Sequence, residues 1–260
     1  FSGKPLWQQQ FAAVERPGFG IKRLLDRRDP AFVSGGVGVG EGLVLIGTTQ
    51  GEVIALDVAD GSERWRTRVG TEVGAAPTAG DGRVYVQTID DRISALDVDT
   101  GDVAWTYDSQ MPLLTLRGTS APVFDQGVLY SGFANGKVVA LRAENGEPIW
   151  EQRVMLPEGR SELDRIVDVD ARVELDGTSM YALAYQGRVA AISRREGRPM
   201  WEQELSGVLG MAQGYGQVYV IDEDDTVSAL DKDSGEINWQ QSAFARRKLT
   251  APLAFSNYLV

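Results

Sequence analysis

The chain has 260 residues, with 26 Lys plus Arg against 37 Asp plus Glu for a net charge of −11, and it holds neither Cys nor His. Over these residues that excludes zinc, haem, iron–sulfur and copper sites built on thiolate or imidazole, together with Cys nucleophiles and His-based triads. The acidic balance argues against nucleic acid as a partner, because phosphate binding rests on a basic face, and no apolar run approaches the roughly 18 to 20 residues that span a bilayer.

Thirty glycines exceed the usual share of about 7% and predict many tight turns. In chain order, FSGKPLW (1–7) reads as the last strand of a repeating unit with its turn. Residues 8–32 carry none of the repeat signature but five cations, Arg16, Lys22, Arg23, Arg27 and Arg28. A contact surface for an acidic partner or anionic lipid fits them, and so does a solvated loop offset by Asp26 and Asp29. The stretch is too short and interrupted for a membrane helix, and helical patterning is confined to one turn in GIKRLLDRR (20–28).

From residue 33 onward the pattern is all-β. Apolar runs LVLIGT (43–48), RVYVQT (83–88), VLYSGF (128–133), MYALAY (180–185) and QVYVID (217–222) each precede a longer motif. Those motifs are VIALDVADGSERW (53–65), ISALDVDTGDVAW (93–105), VVALRAENGEPIW (138–150), VAAISRREGRPMW (189–201) and VSALDKDSGEINW (227–239). Alternating apolar residues around an acidic-Gly turn predict a hairpin whose Gly supplies positive φ. Ala-Pro at 76–77, 121–122 and 251–252 precedes a further short strand, giving four strands, A to D, per unit.

All six Trp lie four residues after a Gly, and successive Trp are 58, 40, 45, 51 and 38 residues apart. The three shorter intervals match the roughly 40 to 45 residues of one four-stranded propeller blade. Each blade needs neighbours to cover its faces, so the Trp are expected to pack between blades with the indole N–H on a backbone acceptor. The 51-residue interval places extra length in VMLPEGRSELDRI (154–166), an extended connection leading to Asp168 and Asp170. The chain begins inside a unit and stops at LTAPLAFSNYLV (249–260), the first two strands of another. The expectation is therefore one β-propeller domain over 1–260, incomplete at both ends, with five complete blades.

The phrase A-L-D-x-x-[DT]-G-x-x-x-W resembles the repeat of pyrroloquinoline-quinone-type β-propellers and covers almost the whole chain. MPLLTLRGTSAPV (111–123), SELDRIVDVD (161–170) and FVSGGVGVGEGLVLIGTTQGEVIALD (32–57) are similar to the corresponding stretches of the BamB family, lipoprotein subunits of the outer-membrane β-barrel assembly machinery. That resemblance implies an eight-bladed, non-catalytic scaffold without cofactor or metal, at the periplasmic face of the outer membrane and held by a lipid anchor absent from this chain. It implies binding to the POTRA region of BamA, with unfolded outer-membrane proteins as further candidate ligands. The implied contact residues are Leu114, Leu116 and Arg117 in the first segment and Asp168 and Asp170 in the second. Leu at alternate positions beside Arg is the mix expected of a hot spot, and Asp164, Asp168 and Asp170 supply charge that fixes register.

Other readings of the same residues stand beside this one. Leu114 and Leu116 fit strand-A packing, and Arg117 fits an internal pair or a loop cap. DVD (168–170) and DEDD (222–225) offer oxygen ligands for calcium, without EF-hand spacing. A quinoprotein dehydrogenase would need a catalytic carboxylate, calcium ligands and cations about the quinone. The acidic residues here fall mainly in hairpin turns at blade edges, and His, the usual neutral-pH base, is missing. A generic protein-binding propeller is the remaining alternative.

Overall fold

A computed structural model describes residues 3–9, 33–110, 118–155, 166–207, 209–256 and 258–260. Every regular element among them is a β-strand. Five four-stranded antiparallel sheets follow one another along the chain, spanning 33–68, 78–108, 123–153, 174–203 and 211–241, and each pairs its strands in sequence order. A two-stranded piece at Ala254–Phe255 and Tyr258–Leu259 follows the fifth. First strands of neighbouring sheets approach one another, as Val33–Gly40 does to Thr78–Gly80, and Thr78–Gly80 to Val123–Asp125. The sheets are therefore blades, as the repeat predicts, and strand A is innermost. The Ala-Pro pairs at 76–77 and 121–122 stand directly ahead of two of these strands.

The repeat motif acquires a physical reason at each position. In every blade the Ala of the third strand stands opposite the Trp of the fourth: Ala55 with Trp65, Ala95 with Trp105, Ala140 with Trp150, Ala191 with Trp201 and Ala229 with Trp239. A methyl group there leaves room for the indole. The Asp that ends the third strand folds the turn, since Asp97 Oδ1 accepts from the N–H of Asp99 and Thr100, and Asp231 Oδ1 from that of Asp233 and Ser234. Those amides hold both carboxyls below the usual carboxylate range.

The hairpin glycines Gly61, Gly101, Gly146, Gly197 and Gly235 have φ between 70° and 76°. A second constraint acts on them. The Gly and Trp of one hairpin are not partners; Trp7, Trp65, Trp105, Trp150 and Trp201 each lie over the hairpin Gly that comes next along the chain. A Cβ on Gly101 would fall 2.7 Å from the Trp65 ring, and one on Gly146 2.5 Å from Trp105. The indole N–H then donates to a carbonyl in that same following turn: Trp65 to Val98 (2.8 Å), Trp105 to Ala143 (3.0 Å), Trp150 to Arg194 (2.8 Å) and Trp201 to Lys232 (2.9 Å). Trp7 makes the same bond to Val58. Between blades, Leu43, Leu45, Val53, Val84, Val86 and Leu96 form one of several apolar layers that water does not reach.

Candidate functional site

With four antiparallel strands per blade, the turn between strands B and C and the connection from strand D to the next blade emerge at the same end. Hydrogen bonds join them, from Val69 N–H to Gly51 O, Ser109 N–H to Asp91 O and Val154 N–H to Gly136 O. Residues 118–120 of the first segment singled out in the sequence and 166–170 of the second belong to this end. Strand D of blade two ends at Asp108 and strand A of blade three begins at Val123, so 111–117 falls in the connection between them. Leu114, Leu116 and Arg117 lie outside the described residues, as do Asp164 and the basic stretch 16–28.

Asp168 and Asp170 are described, and their surroundings differ from an exposed acidic loop. Residues 166–171 cross the end of blade three, where Val169 N–H donates to Phe133 O (3.1 Å) and Tyr185 N–H donates to Asp168 O (2.9 Å). Gly132 and Gly136 permit the crossing, because a Cβ on either would meet Val169 O or Met155 O at 2.3 and 2.6 Å. Val167, Val169 and Ala171 are buried, and so is Asp168, at 1% exposure. Ser120 Oγ donates to Ala171 O and ties the crossing to the start of blade three.

The two segments converge. The Asp170 carboxylate lies against Gly118, where a Cβ would be 2.0 Å from Asp170 Oδ2. Gly118 is the residue immediately after Arg117. A further buried carboxylate lies on the adjoining turn of blade two, at a position the sequence does not single out. Asp91, also 1% exposed, occupies the last position of the B–C turn of blade two, and its Oδ1 accepts a long bond from Ala134 N–H of the blade-three turn (3.4 Å). Burial, reinforced by Asp168 and Asp90, pushes the Asp91 carboxyl up to about 7. Burial, reinforced by Asp168 and Asp91, likewise pushes Asp170 up to about 7. Asp91 Oδ2, Asp170 Oδ1 and Thr119 Oγ1 are buried and have no hydrogen-bond partner among the described residues. Among the described residues no three carboxylates converge closely enough to hold a metal ion. Such a site can bind a proton or face a cationic group.

The residues 222–225 behave differently. Asp222 Oδ1 accepts from Asp224 and Thr226 N–H, and Asp225 accepts from Lys248 and Leu249 N–H, both at 2.9 Å. These side chains shape turns.

Blades whose Trp docks on the next hairpin Gly define the class, a β-propeller of pyrroloquinoline-quinone-like repeats. Within it, the family described as "Outer membrane protein assembly factor BamB" matches residues 1–241, and the chain belongs to that family. Relatives of that name are 45% identical over the whole chain in Xanthomonas campestris and 49% identical over 88% of it in Pseudomonas aeruginosa. The Escherichia coli protein is 42% identical over 99% of the chain. The chain spans 62%, 60% and 64% of their respective lengths. Among solved structures, BamB from Moraxella catarrhalis superposes with a TM-score of 0.83 at 30% identity, covering 89% of this chain and 70% of that one. A quinohemoprotein alcohol dehydrogenase from Comamonas testosteroni, at TM-score 0.67 and 16% identity, covering 81% of this chain and 43% of its own, shares the fold alone.

Proposed function

We propose that the protein is a non-catalytic scaffold of the outer-membrane protein assembly complex. It works at the periplasmic face of the outer membrane and aids folding and insertion of β-barrel proteins. In this reading it binds the POTRA region of BamA through Leu114, Leu116, Arg117, Asp168 and Asp170, and its relatives carry the name of assembly factors. The observation that supports the choice of surface is the contact of Asp170 with Gly118. It sets Gly118, the residue that follows Arg117 in the chain, against one of the two carboxylates at the end of blade three. A partner reading both segments needs an apolar anchor flanked by charge of either sign, the composition of an energetic centre with a register-fixing rim. Unfolded outer-membrane proteins are candidate ligands of the assembled complex.

The test is co-purification with BamA of the wild type and of Leu116→Ala, Arg117→Ala and Asp170→Asn, with far-UV circular dichroism to check each fold. Loss of BamA from folded variants is expected. Undiminished recovery of BamA with all three would overturn the assignment of this surface.

A further inference from the structure

The C–D hairpins emerge at the end of the blades away from the candidate site. They are tied there to the A–B turns, by bonds such as Val98 N–H to Gly82 O and Arg194 N–H to Thr178 O. All five hairpins share one backbone, with a Gly at φ between 70° and 76° whose N–H donates to the carbonyl four residues back. Their charge is not shared. Two residues before the Gly, the other blades have Ala59, Asp99, Glu144 and Asp233, and just after it Ser62, Asp102, Glu147 and Glu236. Blade four has Arg195 and Arg198 at these two positions. It also has Ser193 where blades one, two and five place an Asp, so the carboxylate that would neutralise the turn from within is gone.

The remaining cation of this hairpin, Arg194, serves blade stacking. Its guanidinium pairs with Asp125, donates to Gly177 O (2.8 Å) and lies 5.2 Å from the centre of the Tyr130 ring. Lys232 makes the equivalent pair between blades four and five, with Asp176 at 2.9 Å. Arg195 and Arg198 are exposed and have no such role. Arg195 makes no ion pair among the described residues, and Arg198 stands 3.7 Å from Glu196 with the two side chains 83% and 56% exposed. A pair so open to water contributes little to stability and exchanges readily for another carboxylate. Further along strand D, Met200 is 54% exposed, with its thioether 3.6 Å from the Ser179 hydroxyl.

We propose that the blade-four hairpin is a second interaction surface, which takes an extended acidic segment of a partner protein. Arg195 and Arg198 bind its carboxylates through their planar forks of donors, and Met200 supplies an adaptable apolar contact. The anchoring of Arg194 holds the hairpin in place before the partner arrives, which lowers the ordering cost of binding. An anionic lipid surface matches the charge but not the shape. A flat bilayer approaching this end would meet the exposed Glu144 and Glu147 on one side and Asp233 and Glu236 on the other, whereas a single strand of chain can reach one hairpin alone. The surface lies at the opposite end of the blades from Asp170 and does not rest on the partner reading above.

Two measurements on the whole protein test it. The first compares the wild type with Arg195→Asp/Arg198→Glu, which carries the residues blade five uses at those positions and so keeps the turn, as circular dichroism would check. The probe is a capped peptide of two Leu flanked on each side by Glu, followed through the side-chain Nε–Hε NMR signals of the arginines. The Arg195 and Arg198 signals are expected to move, with affinity falling several-fold as salt is raised, and the variant should bind about tenfold more weakly. Unmoved signals, or equal affinity in the variant, overturn the proposal. Vesicles of phosphatidylethanolamine and phosphatidylglycerol are the second probe; binding to them that the variant loses, without peptide binding by the wild type, would assign the hairpin to lipid and overturn the partner class. In the second measurement a photoreactive residue replaces Met200 in the intact assembly complex, and the cross-linked partner segment is sequenced. An acid-rich segment, lost with Arg195→Asp/Arg198→Glu, is expected; adducts confined to segments without acidic residues, or none, overturn the proposal.

Discussion

Blades two and five share a backbone and differ in what surrounds it. In blade two, Trp105 lies over Gly146 of the next hairpin and donates to Ala143 O; in blade five, Trp239 is 41% exposed. Their B–C turns end in Asp91 and Asp225, with nearly the same φ, yet the two carboxyls shift in opposite directions. Asp225 is lowered by the N–H groups of Leu249 and Lys248, and Asp91 is raised by burial beside other acids. The repeat thus dictates where a side chain stands, and the irregular connections decide whether it is satisfied. A position left unsatisfied in one blade but satisfied in another points to where selection has favoured something other than stability.

The strongest way to break this comparison is to remove the two tryptophans. Trp105→Ala should cost about 3 kcal/mol in urea unfolding, because a seated aromatic and its hydrogen bond are both lost. Trp239→Ala should cost about 1 kcal/mol, since much of that side chain already faces water. Equal losses would mean that docking on the next hairpin contributes little. Next, Asp225→Ala should lower Tm by several degrees by orphaning the Lys248 and Leu249 amides, whereas Asp91→Asn should not lower it at neutral pH.

For Asp91 the sign follows from linkage. Asp91 and Asp170 titrate near 7 in the native protein against a reference of 3.8, so between those values the folded state holds more protons than the unfolded chain. Stability therefore falls as pH rises through that window and levels off above it. Asp91→Asn should accordingly stabilise the protein by about 1 to 3 kcal/mol at pH near 8 and have little effect near pH 4, as read from urea midpoints at the two conditions. The smallest effect expected is in the double variant Asp91→Asn/Asp170→Asn. It should gain less than the two single variants together, by about 1 kcal/mol, because each substitution already relieves the other carboxyl. Strict additivity would show that the pair does not interact.

Much of the fold was legible in the chain because it rests on local chemistry. Gly61 and its counterparts must take positive φ within their own hairpins, the Asp that closes the third strand of blades two and five binds amides two and three residues on, and Ala faces Trp across one strand pair. Ten to fifteen residues of sequence carry all of this, and repetition multiplies the signal. Less of the candidate site was legible. Asp168 and Asp170 stood out through a resemblance of segments, but their burial did not, since an acidic stretch in a chain of charge −11 reads as solvated. Asp91 looked like one more turn acid beside Asp90; the only signal was an Asp where blades one and three have Gly, and it gains meaning once the turns are known to share one backbone conformation.

By itself the sequence determined the blades, their order and the hairpin geometry, because strand period and turn chemistry are properties of neighbours in the chain. Only the tertiary structure decided that five of the six Trp serve the hairpin glycine that comes next along the chain, and that Gly118 and Asp170 meet at one end of blade three. Those contacts join residues 34 to 54 positions apart, and they arise from stacking blades side by side, which brings together ends of strands that no local pattern relates.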